Sequence, residues 1–170
     1  MHYLQIREAV AACCEVLLLD ARSKLTGEGG EFVLAKVLDT LIWKFSLASP
    51  SRGGKYHSCR YWSTNAYREW SAFLNLRRKR PRLVFEHVVP RREIRDQLLK
   101  AKTRKDIQLA LERVVSCVVL KSEDDKLRNW DRRNAEICKT FRTVDDWWKR
   151  YKGAKIRRRE VWPDVAAKVK

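Results

Sequence analysis

No stretch of this sequence approaches the ~20 consecutive apolar residues that a membrane-spanning helix needs, which excludes an integral span. The start of the chain lacks a basic stretch followed by an apolar run and a small-residue cleavage site, so no secretory leader is expected. Cysteine occurs five times, at 13, 14, 59, 117 and 138. An odd number with no Cys-x-x-Cys spacing argues against a disulfide framework and a zinc knuckle, and it points to a reducing, cytoplasmic setting. No phosphate-loop pattern and no internal repeat occurs. Histidine is scarce, at three residues, so imidazole chemistry has few candidates. Acid is also short: 21 Asp plus Glu against 38 Lys plus Arg leave a formal charge of +17.

What is present fits one globular domain with an appendage. The chain has 170 residues, 45% of them hydrophobic and 10% aromatic, enough for a packed core and too apolar for wholesale disorder. The charge is uneven. Residues 1–50 carry five basic and six acidic side chains, whereas residues 51–100 carry 13 and four. Residues 101–150 carry 13 and nine, and residues 151–170 carry seven and two. A near-neutral first third followed by a basic remainder implies a helical scaffold attached to a polyanion-binding unit. No predicted helix joins a basic face to a wide exposed apolar one, so a membrane surface is not the expected partner.

Apolar spacing predicts a helix over 3–25, ended by Gly27, Gly29 and Gly30, and a second over 31–47. The second presents Phe32, Val33, Val37, Leu38, Leu41, Ile42 and Phe45, and together they read as an αα-hairpin. Cys13 and Cys14 are expected in its core. Residues 48–57 read as a loop. Ser63 then caps a helix over 64–75 with Ala66, Tyr67, Trp70, Phe73 and Leu74 on one face. The run Arg77-Arg78-Lys79-Arg80-Pro81-Arg82 leads into a strand from Leu83 to about Val89, closed by Pro90. Helices are predicted over 91–101 and over 104–114, the latter capped by Thr103. A second strand covers 117–120. Ser122 is read as the cap of a helix from 123 into the 130s. Thr143 with Asp146 opens a short helix that Gly153 stops, and a basic tail follows.

One histidine stands beside a carboxylate at the end of a predicted strand: Glu86-His87, flanked by Arg77–Arg82 and by Arg91 and Arg92. Hydrolysis of a phosphodiester needs a base for water, a cation for the leaving oxygen and positive charge on the phosphate. A neutral imidazole, a carboxylate pair and nearby arginines match those three needs. The second strand and its helix bring Glu123-Asp124-Asp125 into play, although Ser122-x-x-Asp125 is also a capping pattern that needs no metal.

These two segments, EHVVP and SCVVLKSEDDKLRN, resemble the two halves of the HNH endonuclease motif, over about residues 82–130. The resemblance implies an α+β, mostly helical protein. It would have a ββα-metal nuclease core of two short strands and a helix, with the N-terminal hairpin added. It places Glu86 on the first metal ligand, His87 on the general base and Ser116 where an asparagine usually orients the histidine. Asp125 falls on the last ligand, with Asp124 the one-residue alternative. Two departures stand out: the segment over 91–115 is long and helical, and Ser116 and Asp125 replace the usual residues. The implied organisation is a helical region over 1–75, an HNH-like core over 76–140, and a short helix with a basic tail over 141–170. The implied function is a magnesium-dependent (alternatively manganese-dependent) DNA endonuclease, suited to phage defence. Arg77, Arg78, Lys79, Arg80, Arg82, Arg91 and Arg92 would contact phosphates. RNA stays open as the nucleic acid, as does a protein partner or homodimer. The rival readings are a non-catalytic nucleic-acid-binding protein with a degenerate site, and a phage or host effector acting by protein binding.

Overall fold

The computed structural model describes residues 3–47, 56, 59–76 and 79–161. In chain order the elements are α1 (Tyr3–Glu15), α2 (Gly27–Leu47), β1 (Tyr61–Ser63), α3 (Thr64–Leu76), β2 (Leu83–His87), α4 (Arg91–Leu98) and α5 (Arg104–Glu112). They continue as β3 (Ser116–Leu120), α6 (Lys121–Arg133), α7 (Ala135–Cys138), α8 (Val144–Gly153) and β4 (Arg158–Glu160). The protein is therefore mixed α+β and mostly helical, as expected. No helix among the described residues is long and apolar enough to cross a membrane. The chain forms two units that interleave in sequence: Met1–Pro50 with Val89–Val115, and Ser51–Val88 with Ser116–Lys170.

The first unit contains α1, α2, α4 and α5. Leu34, Leu38, Ile42 and Phe45 recur at three- and four-residue intervals on α2 and are buried, as are Ile94 and Leu98 on α4 and Ile107, Ala110 and Leu111 on α5. Phe32, Val33 and Val37, expected on the same face, are exposed instead. Cys14 is buried but Cys13 is exposed, so only one of the two belongs to the core. Arg95 on α4 pairs with Asp39 on α2 at 3.2 Å, and Arg104 on α5 with Glu15 on α1 at 2.7 Å. Thr103 closes a capping box with Asp106: its hydroxyl accepts from the Asp106 amide at 3.2 Å, and the Asp106 carboxylate accepts from the Thr103 amide at 3.0 Å.

The predicted helix over 3–25 is α-helical only to Glu15. It widens into a π turn at Val16–Asp20 and tightens into a 3₁₀ turn at Arg22–Lys24. The glycines do not simply end it: Gly27, with φ of 78°, begins α2. A side chain at Gly30 would sit 2.5 Å from the Leu25 carbonyl carbon, so the turn closes only over a bare backbone.

The second unit is built on a four-stranded sheet of order β2-β3-β1-β4. β2 and β3 are antiparallel with His87 opposite Ser116, β1 and β3 are parallel, and β1 and β4 are antiparallel. Neither β1 nor β4 was expected: Ser63 read only as the cap of the following helix, and 158–160 as tail. Alternation along β1 separates two layers. Trp62 turns toward Tyr67 and Trp70 of α3, with ring centroids 6.2 and 6.4 Å away. Tyr61 meets Trp148 of α8 at 5.3 Å, and Ser63 meets Glu123 of α6. On α3, Ala66 is buried as expected, while Leu74 is exposed.

Ser63 does cap α3, accepting from the Ala66 amide at 3.0 Å, and it also donates to Glu123. Ser122 does not cap α6. That helix starts earlier, at Lys121, because the Glu123 carboxylate accepts from the Leu120 amide at 3.0 Å and so satisfies the entry turn. Thr143 and Asp146 cap α8 as the sequence indicates.

Candidate functional site

Leu83-Val84-Phe85-Glu86-His87 forms β2, and successive strand residues point to opposite faces. Phe85 and His87 share one face, with ring centroids 5.7 Å apart. His87 is 8% exposed and lies directly across from Ser116, so the sheet register brings the expected base and its expected orienting residue together. The Cys59 thiol donates to the Ser116 hydroxyl at 3.6 Å, and burial pushes that thiol up to about 11.

Glu86 turns the other way, toward α8, with its side chain 14% exposed. The Tyr151 hydroxyl donates to one carboxylate oxygen at 2.5 Å, and Arg150 Nη2 lies 3.3 Å from the other. Arg150, itself 3% exposed, also donates to the Val88 carbonyl at 2.8 Å and to both oxygens of Asp131, at 2.8 and 2.6 Å. One guanidinium thus binds the end of β2 to α6. Burial pushes the Glu86 carboxyl up to about 7, although Arg150 and Tyr151 both favour its charge. Burial works against the Arg150 charge too, but Glu86 and Asp131 outweigh it and hold the guanidinium protonated.

The acids of α6 are also matched. Asp124 is buried and lies 3.1 Å from both Lys121 Nζ and Arg128 Nη2. Asp125 is exposed and lies 2.6 Å from Lys121 Nζ, a hydrogen bond that with Asp124 raises the lysine's pKa. Among the described residues, no three His, Cys, Asp or Glu side chains gather into a group able to hold a metal ion. Each expected ligand instead meets an ammonium or guanidinium, an arrangement that does not fit a divalent cation.

The basic residues fall in different places. Arg77 and Arg78 lie outside the described residues. Lys79, Arg80 and Arg82 are exposed, with the Arg80 guanidinium 6.0 Å from the Trp70 ring. Arg91 and Arg92 open α4 in the first unit, where Arg92 pairs with Asp96 at 3.7 Å and Arg91 lies 5.8 Å from the Trp43 ring.

A further basic surface lies on α8 and on the basic tail that follows it, part of which forms β4. Of 38 basic and 21 acidic residues, 25 and 11 belong to the second unit, which carries 14 of the 17 net positive charges. β4 is exposed along its length. Arg158 lies 4.4 Å from the Trp148 ring centroid and Arg159 4.3 Å from that of Tyr67. Beside them Lys149, Lys152, Lys155 and Arg157 line a cleft of about 690 Å³ floored by Trp148, Tyr151 and Ile156. The signal missed was the Trp-Trp-Lys-Arg-Tyr run itself. Its Trp147, Trp148 and Tyr151 mark the inward side of α8, and Arg150 lies buried beside them. Comparison of the chain with protein-family models, with curated proteins and with solved structures finds no match to any of them.

Proposed function

We propose that this protein binds nucleic acid through the basic surface of its second unit, with Glu86 and its partners acting as structural ties. The observation that carries this reading is β4, an exposed edge strand whose Arg158 and Arg159 are seated over Trp148 and Tyr67. Aromatic seating limits the freedom of a guanidinium while leaving its donors outward, which reduces the entropy lost on meeting a phosphate. Six to ten such contacts imply a ~10³–10⁵-fold loss of affinity between 50 and 200 mM salt. Fluorescence anisotropy with labelled oligonucleotides over that range tests it. A flat salt response, or unchanged affinity in the Arg158→Glu/Arg159→Glu variant, refutes it.

A second reading, the metal-dependent HNH-type endonuclease, is favoured by one observation. β2 and β3 pair antiparallel, α6 follows directly and packs on both, and His87 faces Ser116 at the end of the first strand. Under this reading His87 is the general base. Binding of substrate and magnesium or manganese would have to displace the ion pairs that Glu86, Asp124 and Asp125 now make. Plasmid nicking with magnesium separates the two readings. Nicking that is lost in His87→Ala while DNA binding persists supports the enzyme, and binding without nicking by the intact chain supports the binding protein.

A further inference from the structure

We propose that the end of α8 is a single-strand nucleic-acid site in which Lys155 holds the phosphate between two neighbouring nucleotides. The inference rests on the nucleic-acid-binding reading above and narrows it to one strand path. Two concave sites meet at this residue. One is the cleft of about 690 Å³ along α8 and β4. The other, about 300 Å³, is lined by Lys126, Asn129, Trp130, Arg133 and Asn134 as well as Lys155. Both fall within the ~300–1,000 Å³ range of sites that enclose small organic groups. Their chemistry differs. The first offers cations over ring surfaces. The second adds the amide nitrogen of Asn129 and the amide oxygen of Asn134, which can pair with base edges. Their other amide atoms bond Arg132 and the Trp130 carbonyl, and the Trp130 ring stacks on Phe141.

Lys155 is also the one described non-glycine residue with a left-handed backbone, at φ 58°. The conformation ends α8: the amides of Ala154, Lys155 and Ile156 donate to the carbonyls of Arg150, Lys152 and Tyr151 at 2.8, 3.0 and 2.8 Å. Glycine is the ordinary occupant of such a position, because a Cβ there crowds the backbone. A lysine is therefore held where the turn favours glycine, and its exposed side chain borders both sites. The helix dipole accounts for cations in the last turn. It does not account for Arg157 and Arg158, which lie past the helix end and line the larger cleft.

The shape selects an unpaired strand. A duplex keeps its base edges paired and stacked, whereas an unpaired strand can turn successive bases into separate recesses. Asp145 is the acidic member of the larger cleft's lining and lies at the opposite end of α8, ~15 Å from Lys155 along the axis. Phosphate is thereby directed to the lysine end.

The test uses the full chain with a labelled single-stranded 12-nucleotide DNA and the matching duplex, in anisotropy titrations between 50 and 200 mM salt, together with thermal melts. Wild type is expected to bind the single strand at least tenfold more tightly than the duplex. Lys155→Gly is expected to melt at or above the wild-type temperature, because glycine relieves the left-handed backbone. It should nevertheless bind the single strand about tenfold more weakly, with a log–log salt slope shallower by ~0.7, the value for one lost phosphate contact. Lys100→Gln, an exposed change in the first unit, should leave both properties unaltered. If wild type binds the single strand but Lys155→Gly matches it in affinity and slope, this site is overturned and the broader reading stands. A preference for duplex overturns it as well. Binding of neither nucleic acid removes the broader reading and this one together.

Discussion

The Glu86 carboxyl offers a pH experiment whose sign the structure determines. Its pKa is about 7 in the folded chain against an ordinary 4.5, because burial outweighs the help of Arg150 and Tyr151, with Asp131 and Asp124 nearby adding repulsion. The folded state therefore holds this proton more tightly than the unfolded state does. Between about pH 4.5 and 7 the native chain keeps a proton that the unfolded chain releases, so stability falls as pH rises through that window. At ~1.4 kcal/mol per tenfold change in proton affinity, the full span corresponds to about 3 kcal/mol. Glu86→Gln keeps the shape and resembles the protonated acid, with one acceptor oxygen and one donor nitrogen in place of two acceptors, and it removes the titration. Urea denaturation of wild type and Glu86→Gln at pH 4.5, 5.5, 6.5 and 7.5 should give curves that separate with rising pH, the variant becoming the more stable above neutrality. Asp106, lowered by its capping bonds, and Asp146, lowered first by Lys149 and then by its capping bonds, titrate below this window and cancel in the difference. Parallel curves would show that Glu86 does not carry the burden assigned to it.

Three further outcomes are expected. Arg150→Met removes the cation shared by Glu86, Asp131 and the Val88 carbonyl, and loss of a buried partner should cost ~3–5 kcal/mol, read as a urea midpoint shift. Ser63→Ala strips both the α3 cap and the hydroxyl that Glu123 accepts from, for a loss of ~1–3 kcal/mol by the same assay. Gly153→Ala brings a methyl group to within 2.2 Å of the Trp130 indole nitrogen, so the ring must move. A destabilisation of ~1–3 kcal/mol with altered tryptophan emission is expected, and unchanged emission would refute that packing.

Legibility in the sequence followed the range of the interaction responsible. The boxes at Thr103–Asp106 and Thr143–Asp146 close within three residues, and both were readable. β2 and β3 were readable because Leu83-Val84-Phe85 and Cys117-Val118-Val119-Leu120 are dense in β-branched and apolar side chains, and Pro90 marks a stop. β4 contains Arg158, Arg159 and Glu160 and no apolar residue, so only its pairing with β1 makes it a strand. The Ser122 cap failed for a related reason. A carboxylate one residue later satisfies the entry turn and is itself held by Ser63, 60 residues away. Glu86 and His87 were identified as a pair. That Glu86 answers to Arg150, 64 residues on, depends on a packing of α8 that no local pattern encodes.

The interleaving of the two units also bears on the order in which the chain can fold. β2 and β3 are neighbours in the sheet, yet Val89–Val115, the stretch between them, belongs to the other unit. As the chain leaves the ribosome, α1 and α2 emerge without α4 and α5, and β1 emerges well before its parallel neighbour β3. Neither core can close until about two-thirds of the polypeptide has been made, and the edge of β1 stays open to other strands throughout. Nascent chains with residues up to Val115 clear of the ribosome should therefore be protected in the first unit but protease-sensitive in the second, which gains protection only once β3 and the elements after it have emerged.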